Sequence, residues 1–200
     1  MAEIVLFHSV LGLNDGVTSA ADRLRQAGHV VHTPNLYEAA TVFDDYPPAM
    51  KHVESFGYPE LLKRTRDAVA TLPAELVYAG FSNGGTSAEY LAATRAGAKG
   101  ALLFHAALAL PMFGQFAGEM VSHWPSTVPV QVHYSVGDPF REQKELDAFA
   151  GSVKESGAAY SFYEYPGNGH LFADESRAEE YDADAAELMW TRVCSFLETV

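Results

Sequence analysis

Six apolar runs of strand length punctuate this chain, at 3–8, 29–33, 75–80, 99–105, 129–135 and 159–165, with helically spaced stretches between them. A strand that is apolar throughout is buried on both faces, and parallel neighbours need a helical crossover to bring the chain back. The rhythm therefore predicts an α/β architecture, one three-layer domain over 1–200 with a mostly parallel sheet of about six strands. Helices are expected at 17–27, 59–71, 84–95, 141–155 and 181–198. Two connections, 34–58 and 106–127, are far longer than usual, and both leave the C-terminal ends of strands. The first carries Tyr37, Phe43, Tyr46, Phe56 and Tyr58; the second carries Leu108, Leu110, Met112, Phe113, Phe116, Met120 and Trp124. Such loops wall a pocket, cover the sheet edge, or do both.

The third run ends in Gly80-Phe81-Ser82-Asn83-Gly84, and a helical pattern follows at once. A G-x-S-x-G turn between strand and helix has the form of a nucleophile elbow: the serine backbone is strained, and glycine on either side avoids a collision. An ordinary serine in a Gly-rich turn is the plain alternative. An acid and a histidine then follow in the order such an elbow requires. Asp138 lies just past the fifth run, in Ser135-Val136-Gly137-Asp138-Pro139, and His170 just past the sixth, in Pro166-Gly167-Asn168-Gly169-His170. Ser82 is thus the candidate nucleophile, His170 its base, and Asp138 the group that orients the base. Asp147 falls inside a helical pattern and Asp174 follows the histidine, so neither suits the order. Free N–H groups at the start of the helix after Ser82, and the backbone of the loop Ser9–Leu13, are the expected oxyanion donors.

The other histidines lack partner spacing, and structural roles are expected for His29, His32, His52, His105, His123 and His133. His8 closes the first run, where packing is favoured over substrate contact. No H-E-x-x-H or paired-cysteine spacing occurs, so neither metal nor cofactor is expected. Thirteen Lys plus Arg stand against 26 Asp plus Glu, a net charge of −13, which argues against nucleic acid or an anionic membrane as partner. The expected partner is a small molecule. Cys194 is the single cysteine, expected as a buried thiol, and the acidic first residues suit a cytoplasmic protein better than a secreted one.

With these motifs in place, the whole chain resembles the dienelactone hydrolase family of small α/β-hydrolases. His8-Ser9-Val10-Leu11-Gly12-Leu13-Asn14 is similar to its oxyanion loop, Thr33-Pro34-Asn35-Leu36-Tyr37 to its Pro-Asp-Leu-Tyr segment, and Gly167-Asn168-Gly169-His170-Leu171-Phe172 to its histidine loop. The resemblance implies strand order 2-1-3-4-5-6, with oxyanion donors at the N–H groups of Val10 and Asn83. Side chains flanking the motifs, His8, Ser9, Leu11, Tyr37, Phe81, Phe113 and Leu171, are the expected pocket lining. The chain departs from the best-known members in three places. Ser82 replaces their cysteine, Ser9 replaces a glutamate that handles the thiol proton, and Asp174 stands where they place an arginine for the substrate carboxylate. The first two changes go together, because a serine activated by His170 needs no such glutamate. The third argues against dienelactone itself and for a neutral, apolar acyl group, unless Arg141 or Arg177 folds into the pocket. The implied activity is hydrolysis of a small ester or lactone through an acyl-enzyme. A thioesterase or acyltransferase would use the same triad, and a catalytically silent binding protein of this fold is the other class.

Overall fold

A computed structural model describes residues 1–39 and 41–200; Ala40, within the 34–58 connection, lies outside the described residues. The strands are β1 (Glu3–Phe7), β2 (Val30–His32), β3 (Val77–Phe81), β4 (Gly100–Phe104), β5 (Val130–Ser135) and β6 (Tyr160–Tyr165). They form a single six-stranded sheet in the order β2-β1-β3-β4-β5-β6, parallel at every pairing. The helices are α1 (Asp15–Gln26), α2 (Tyr46–Val69), α3 (Asn83–Thr94), α4 (Met112–Ala117), α5 (Gln143–Ser156) and α6 (Ala183–Leu197).

Alternation along the strands divides the interior into two cores. Ile4, Leu6, Ala79, Leu102 and Phe104 face α1 and α6, while Val5, Phe7, Tyr78, Leu103 and Val132 face α2, α3 and α5. From the helices, Leu24, Met189 and Val193 fill the first core, and Leu62, Leu91 and Phe149 the second. Each such side chain contributes about 1.5–3 kcal/mol by leaving water, so both faces are needed to hold the sheet flat between its helices. Side-chain caps fix two helix starts: Asn14 Oδ1 accepts from the Val17 N–H at 3.1 Å, and Asp182 Oδ1 from the Ala185 N–H at 3.0 Å. No helix among the described residues is long and apolar enough to cross a membrane.

The 34–58 connection holds a helix that the sequence pattern does not announce. Residues 46–69 are two helices meeting at Gly57, whose φ of 78° and ψ of 164° break the helical path. Pro47, Pro48 and Pro59 look like helix breakers, yet Pro47 and Pro48 lie in the first turn of the first helix and Pro59 opens the second. A missing N–H costs nothing in a first turn, where that donor has no helical acceptor. In the 106–127 connection α4 adds a turn and a half of helix. Cys194 is free and only partly buried.

Candidate active site

The elbow is built by two close backbone approaches. A Cβ on Gly80 would collide with the Gly84 carbonyl, and one on Gly84 with the carbonyls of Phe7 and His8 at the end of β1. Between them Ser82 sits at φ 52° and ψ −119°, in the left-handed range where a side chain is strained, and its N–H donates to the Phe104 carbonyl at 2.7 Å. This pins the hydroxyl above the C-terminal edge of the sheet, where open parallel sheets place ligands.

The acid and histidine loops are stitched together before their side chains meet. The Gly137 N–H donates to the Gly167 carbonyl at 2.9 Å, and the Ser135 hydroxyl to the Gly169 carbonyl at 2.9 Å. His170 Nδ1 then lies 2.9 and 2.8 Å from the two oxygens of Asp138, and Nε2 lies 2.7 Å from Ser82 Oγ. With Nδ1–H donating to the carboxylate, Nε2 is left bare and accepts the Ser82 hydroxyl's hydrogen bond. Burial alone would raise the Asp138 carboxyl, but the imidazoles of His105 and His170 hold it well below the usual carboxylate range. The Phe140 N–H adds a hydrogen bond to Asp138 Oδ1 at 2.9 Å.

Beside Ser82 opens a cleft of about 350 Å³. Val10 and Asn83 border it, and neither backbone N–H is engaged among the described residues. Its walls are apolar: Tyr46, Met50, Val53 and Tyr58 from α2, Met112 and Phe116 from α4, with Leu108 and Phe140. Tyr58 and Phe116 close the gap between the two helices, their rings 4.7 Å apart. Glu54 and Glu142 are the acidic side chains on the lining, and among the described residues no Lys or Arg lies on it.

None of the seven side chains expected to line the pocket does so. His8 is buried, with Nδ1 donating to the Ser9 carbonyl at 2.7 Å and Nε2 accepting from the Leu36 N–H at 3.0 Å. Those two bonds consume both nitrogens, and burial pushes the ring down to about 4. Ser9 Oγ accepts from the Leu11 N–H at 3.2 Å and shapes its own loop, while Leu11 lies in the core. The Tyr37 hydroxyl donates to the Val10 carbonyl at 2.7 Å, so it holds the Ser9–Leu13 loop from behind. Phe81 and Leu171 join the α1/α6 core, and Phe113 packs on Tyr90 in the other. The strand pleat sends Phe81, and the helix face Phe113, into the interior; the others are held by the loop and core contacts just described.

Asp174 also faces away from the cleft. Its carboxylate accepts from Asn14 Nδ2 at 3.0 Å and from the Ser176 N–H at 2.9 Å, and it fills the space a side chain on Gly16 would take. The sequence led us to expect Asp174 to repel a substrate carboxylate; held by Asn14 and Ser176 and off the cleft lining, it does not face one. Arg141 is turned toward Glu164 at 2.7 Å and Arg177 toward Glu180 at 2.6 Å.

Two neighbours of the relay escaped the sequence pattern. Glu180 accepts from the Leu171 N–H at 2.7 Å, from Arg177, and from the Tyr46 hydroxyl at 2.8 Å, which anchors the histidine loop to α2. Burial would raise its carboxyl, but these three donors hold it below the ordinary range. His105, expected to be structural, lies against Asp138 with Nδ1 3.4 Å from Oδ2. His133 serves the core, bonded to the Tyr165 hydroxyl at 2.9 Å and Gln131 at 3.2 Å. His105, Asp138 and His170 bring donor atoms within 4.8 Å of one another, but both nitrogens of His170 are already engaged, so an ion there would have to break the relay.

The dienelactone hydrolase family model matches residues 1–200. No curated protein matches the chain significantly. Among solved structures, a dienelactone hydrolase-like promiscuous phosphotriesterase from metagenomic libraries superposes with a TM-score of 0.79 at 22% identity, covering 100% of this chain and 86% of that one. A thermophilic esterase from Thermogutta terrifontis, bound to propionate, gives 0.65 at 16% identity, covering 99% of this chain and 83% of that one. At such identities these two likenesses speak for the fold, an α/β-hydrolase sheet. The family match spans every residue that builds the elbow, the two stitched loops and the cleft, and the chain belongs to the dienelactone hydrolase family.

Proposed function

We propose that the protein hydrolyses small, neutral carboxylic esters or lactones through an acyl-enzyme on Ser82. The observation that carries this reading is the unbroken chain from Ser82 Oγ through His170 to Asp138, set at the floor of an apolar cleft. As Ser82 attacks the carbonyl carbon, His170 Nε2 takes its proton, and Asp138 stabilises the imidazolium that forms. The carbonyl oxygen becomes an oxyanion facing the N–H groups of Val10 and Asn83. His170 then returns the proton to the leaving alkoxide, and a water activated in the same way releases the acid.

The substrate class follows from the walls. A carboxylate in the cleft would lose hydration and find no cation on the lining, with Glu54 and Glu142 adding repulsion. Neutral acyl groups of a few carbons suit the volume, and the esterase with the same fold holds propionate. Ser82→Ala, with fluorophosphonate labelling of the wild type, tests the reading. The variant should lose several orders of magnitude in nitrophenyl ester turnover and take no label. Turnover unchanged in a folded Ser82→Ala sample refutes it, and an unlabelled wild type would indicate a silent binding protein.

A further inference from the structure

His105 ends β4 with φ 58°, a conformation that side-chain-bearing residues seldom hold and that histidine and asparagine tolerate better than most. The side chain is fully buried, with its ring 4.9 Å from Phe172 and 5.3 Å from His170. Nδ1 lies 3.4 Å from Asp138 Oδ2, longer than a good hydrogen bond, and neither ring nitrogen has a hydrogen-bond partner among the described residues. A buried imidazole with two unanswered nitrogens is costly, and a leucine or phenylalanine would pack the space without that cost. The polar ring in a strained backbone therefore calls for a role beyond packing.

We propose that His105 is a positioning residue for the acid: its Nδ1–H dipole faces Asp138 Oδ2, fixes the plane of the carboxylate, and draws off part of the charge acting on His170. This rests on the reading of Ser82, His170 and Asp138 as the catalytic relay. Electrostatics sets the tautomer, since a bare Nδ1 would repel the ionised carboxylate and an N–H attracts it. Burial pushes the ring down to about 4, so at neutral pH it acts as a dipole and not as a competing cation. The groups facing it are Asp138 beyond β5, Tyr134 on β5, and His170 and Phe172 on the histidine loop, with His133 and Glu180 further off.

Removing the dipole leaves the whole Asp138 charge to act on His170 and makes the imidazolium easier to form. His105→Phe should therefore move the acid limb of kcat/KM upward by roughly half a pH unit or more. His105→Asn, whose Nδ2 can stand where Nδ1 stands and which tolerates the same φ, should keep the limb where the wild type has it. An unmoved limb in folded His105→Phe overturns the proposal, as does a limb that moves equally in His105→Asn. Should His105→Phe not fold, the ring-nitrogen chemical shifts of the wild type decide: Nδ1–H with bare Nε2 supports the proposal, and Nε2–H overturns it. Fluorophosphonate labelling separates the layers. A labelled Ser82 with an unmoved limb sinks this inference alone, and an unlabelled wild type sinks the relay beneath it.

Discussion

Asparagine in place of Asp138 keeps the shape of the acid and reverses one hydrogen bond. The Phe140 N–H points at Oδ1 from 2.9 Å, so the asparagine oxygen must stay there and its NH₂ takes the place of Oδ2. That NH₂ then faces His170 Nδ1 from 2.8 Å and can only donate. The oxygen kept at Oδ1 also lies 2.9 Å from Nδ1, but where the NH₂ donates, the imidazole carries its proton on Nε2, 2.7 Å from Ser82 Oγ, where a bare nitrogen is needed. The imidazolium of the transition state also loses its counter-charge, about 4 kcal/mol for charges roughly 4 Å apart at an effective dielectric near 20. At 1.36 kcal/mol per decade this is about a thousandfold, and the misplaced proton brings the loss toward ~10⁴. Nitrophenyl acetate turnover at neutral pH reads it out, with the melting temperature as the check on folding. Asp147→Asn, on the exposed side of α5, is the control and should stay near wild type. A folded Asp138→Asn enzyme within tenfold of wild type would refute the assignment of the acid.

Gly84→Ala brings a Cβ into the Phe7 and His8 carbonyls; it should destabilise the protein by about 1–3 kcal/mol in urea unfolding and abolish labelling of Ser82, and full labelling would contradict the elbow geometry. Glu89 on α3 is fully buried, accepts from the Leu108 N–H at 2.9 Å, and has its other oxygen unpartnered, so burial raises its carboxyl well above the ordinary value. A raised carboxyl stabilises the fold most below its unfolded pKa, and that stability is lost as pH climbs toward the folded value. Glu89→Gln should flatten this decline, which begins above the ordinary carboxylate range, in a pH series of unfolding free energies; an unchanged slope would show that Glu89 is not its source. Glu54→Gln combined with Glu142→Gln should raise kcat/KM for an anionic ester relative to its neutral twin by a small factor that fades with added salt. A salt-independent ratio would place the selectivity elsewhere.

The sheet and the relay were legible because each rests on local, directional signals. Fully apolar runs mark buried parallel strands, and the elbow and the two loops carry their own turn residues immediately after them. The partnership of Ser82, Asp138 and His170 was expected from that placement, and the strand order from the family resemblance. The cleft was legible in part: the two long connections do supply its walls, Tyr46, Tyr58, Leu108, Met112 and Phe116 among them, but which side of each motif faces it depends on helices packed from elsewhere. Met50 and Val53 line it because a helix starts at Tyr46, with Pro47 and Pro48 in its first turn, where proline is harmless, and no helix was expected there. Asp174 was misplaced for a similar reason: Gly16, far away in the chain, leaves the hollow it occupies. His105 was hidden by its strand-end position, which looks structural until the left-handed turn is seen.

The seat of Gly84 against the end of β1 reaches beyond the elbow itself. It joins the segment carrying Asn83 to the strand that feeds the loop carrying Val10, so the two N–H groups are spaced by one rigid seam. A seam of that kind leaves little freedom to retune how a carbonyl is gripped. The wall opposite is assembled differently, from a helix broken at Gly57 and a short helix resting on it through Tyr58 and Phe116. New acyl specificities are therefore most accessible through substitutions on that wall, and a directed-evolution library confined to Met50, Val53, Tyr58, Met112 and Phe116, sparing the Tyr46 that holds the histidine loop, would vary the substrate with least disturbance to His170.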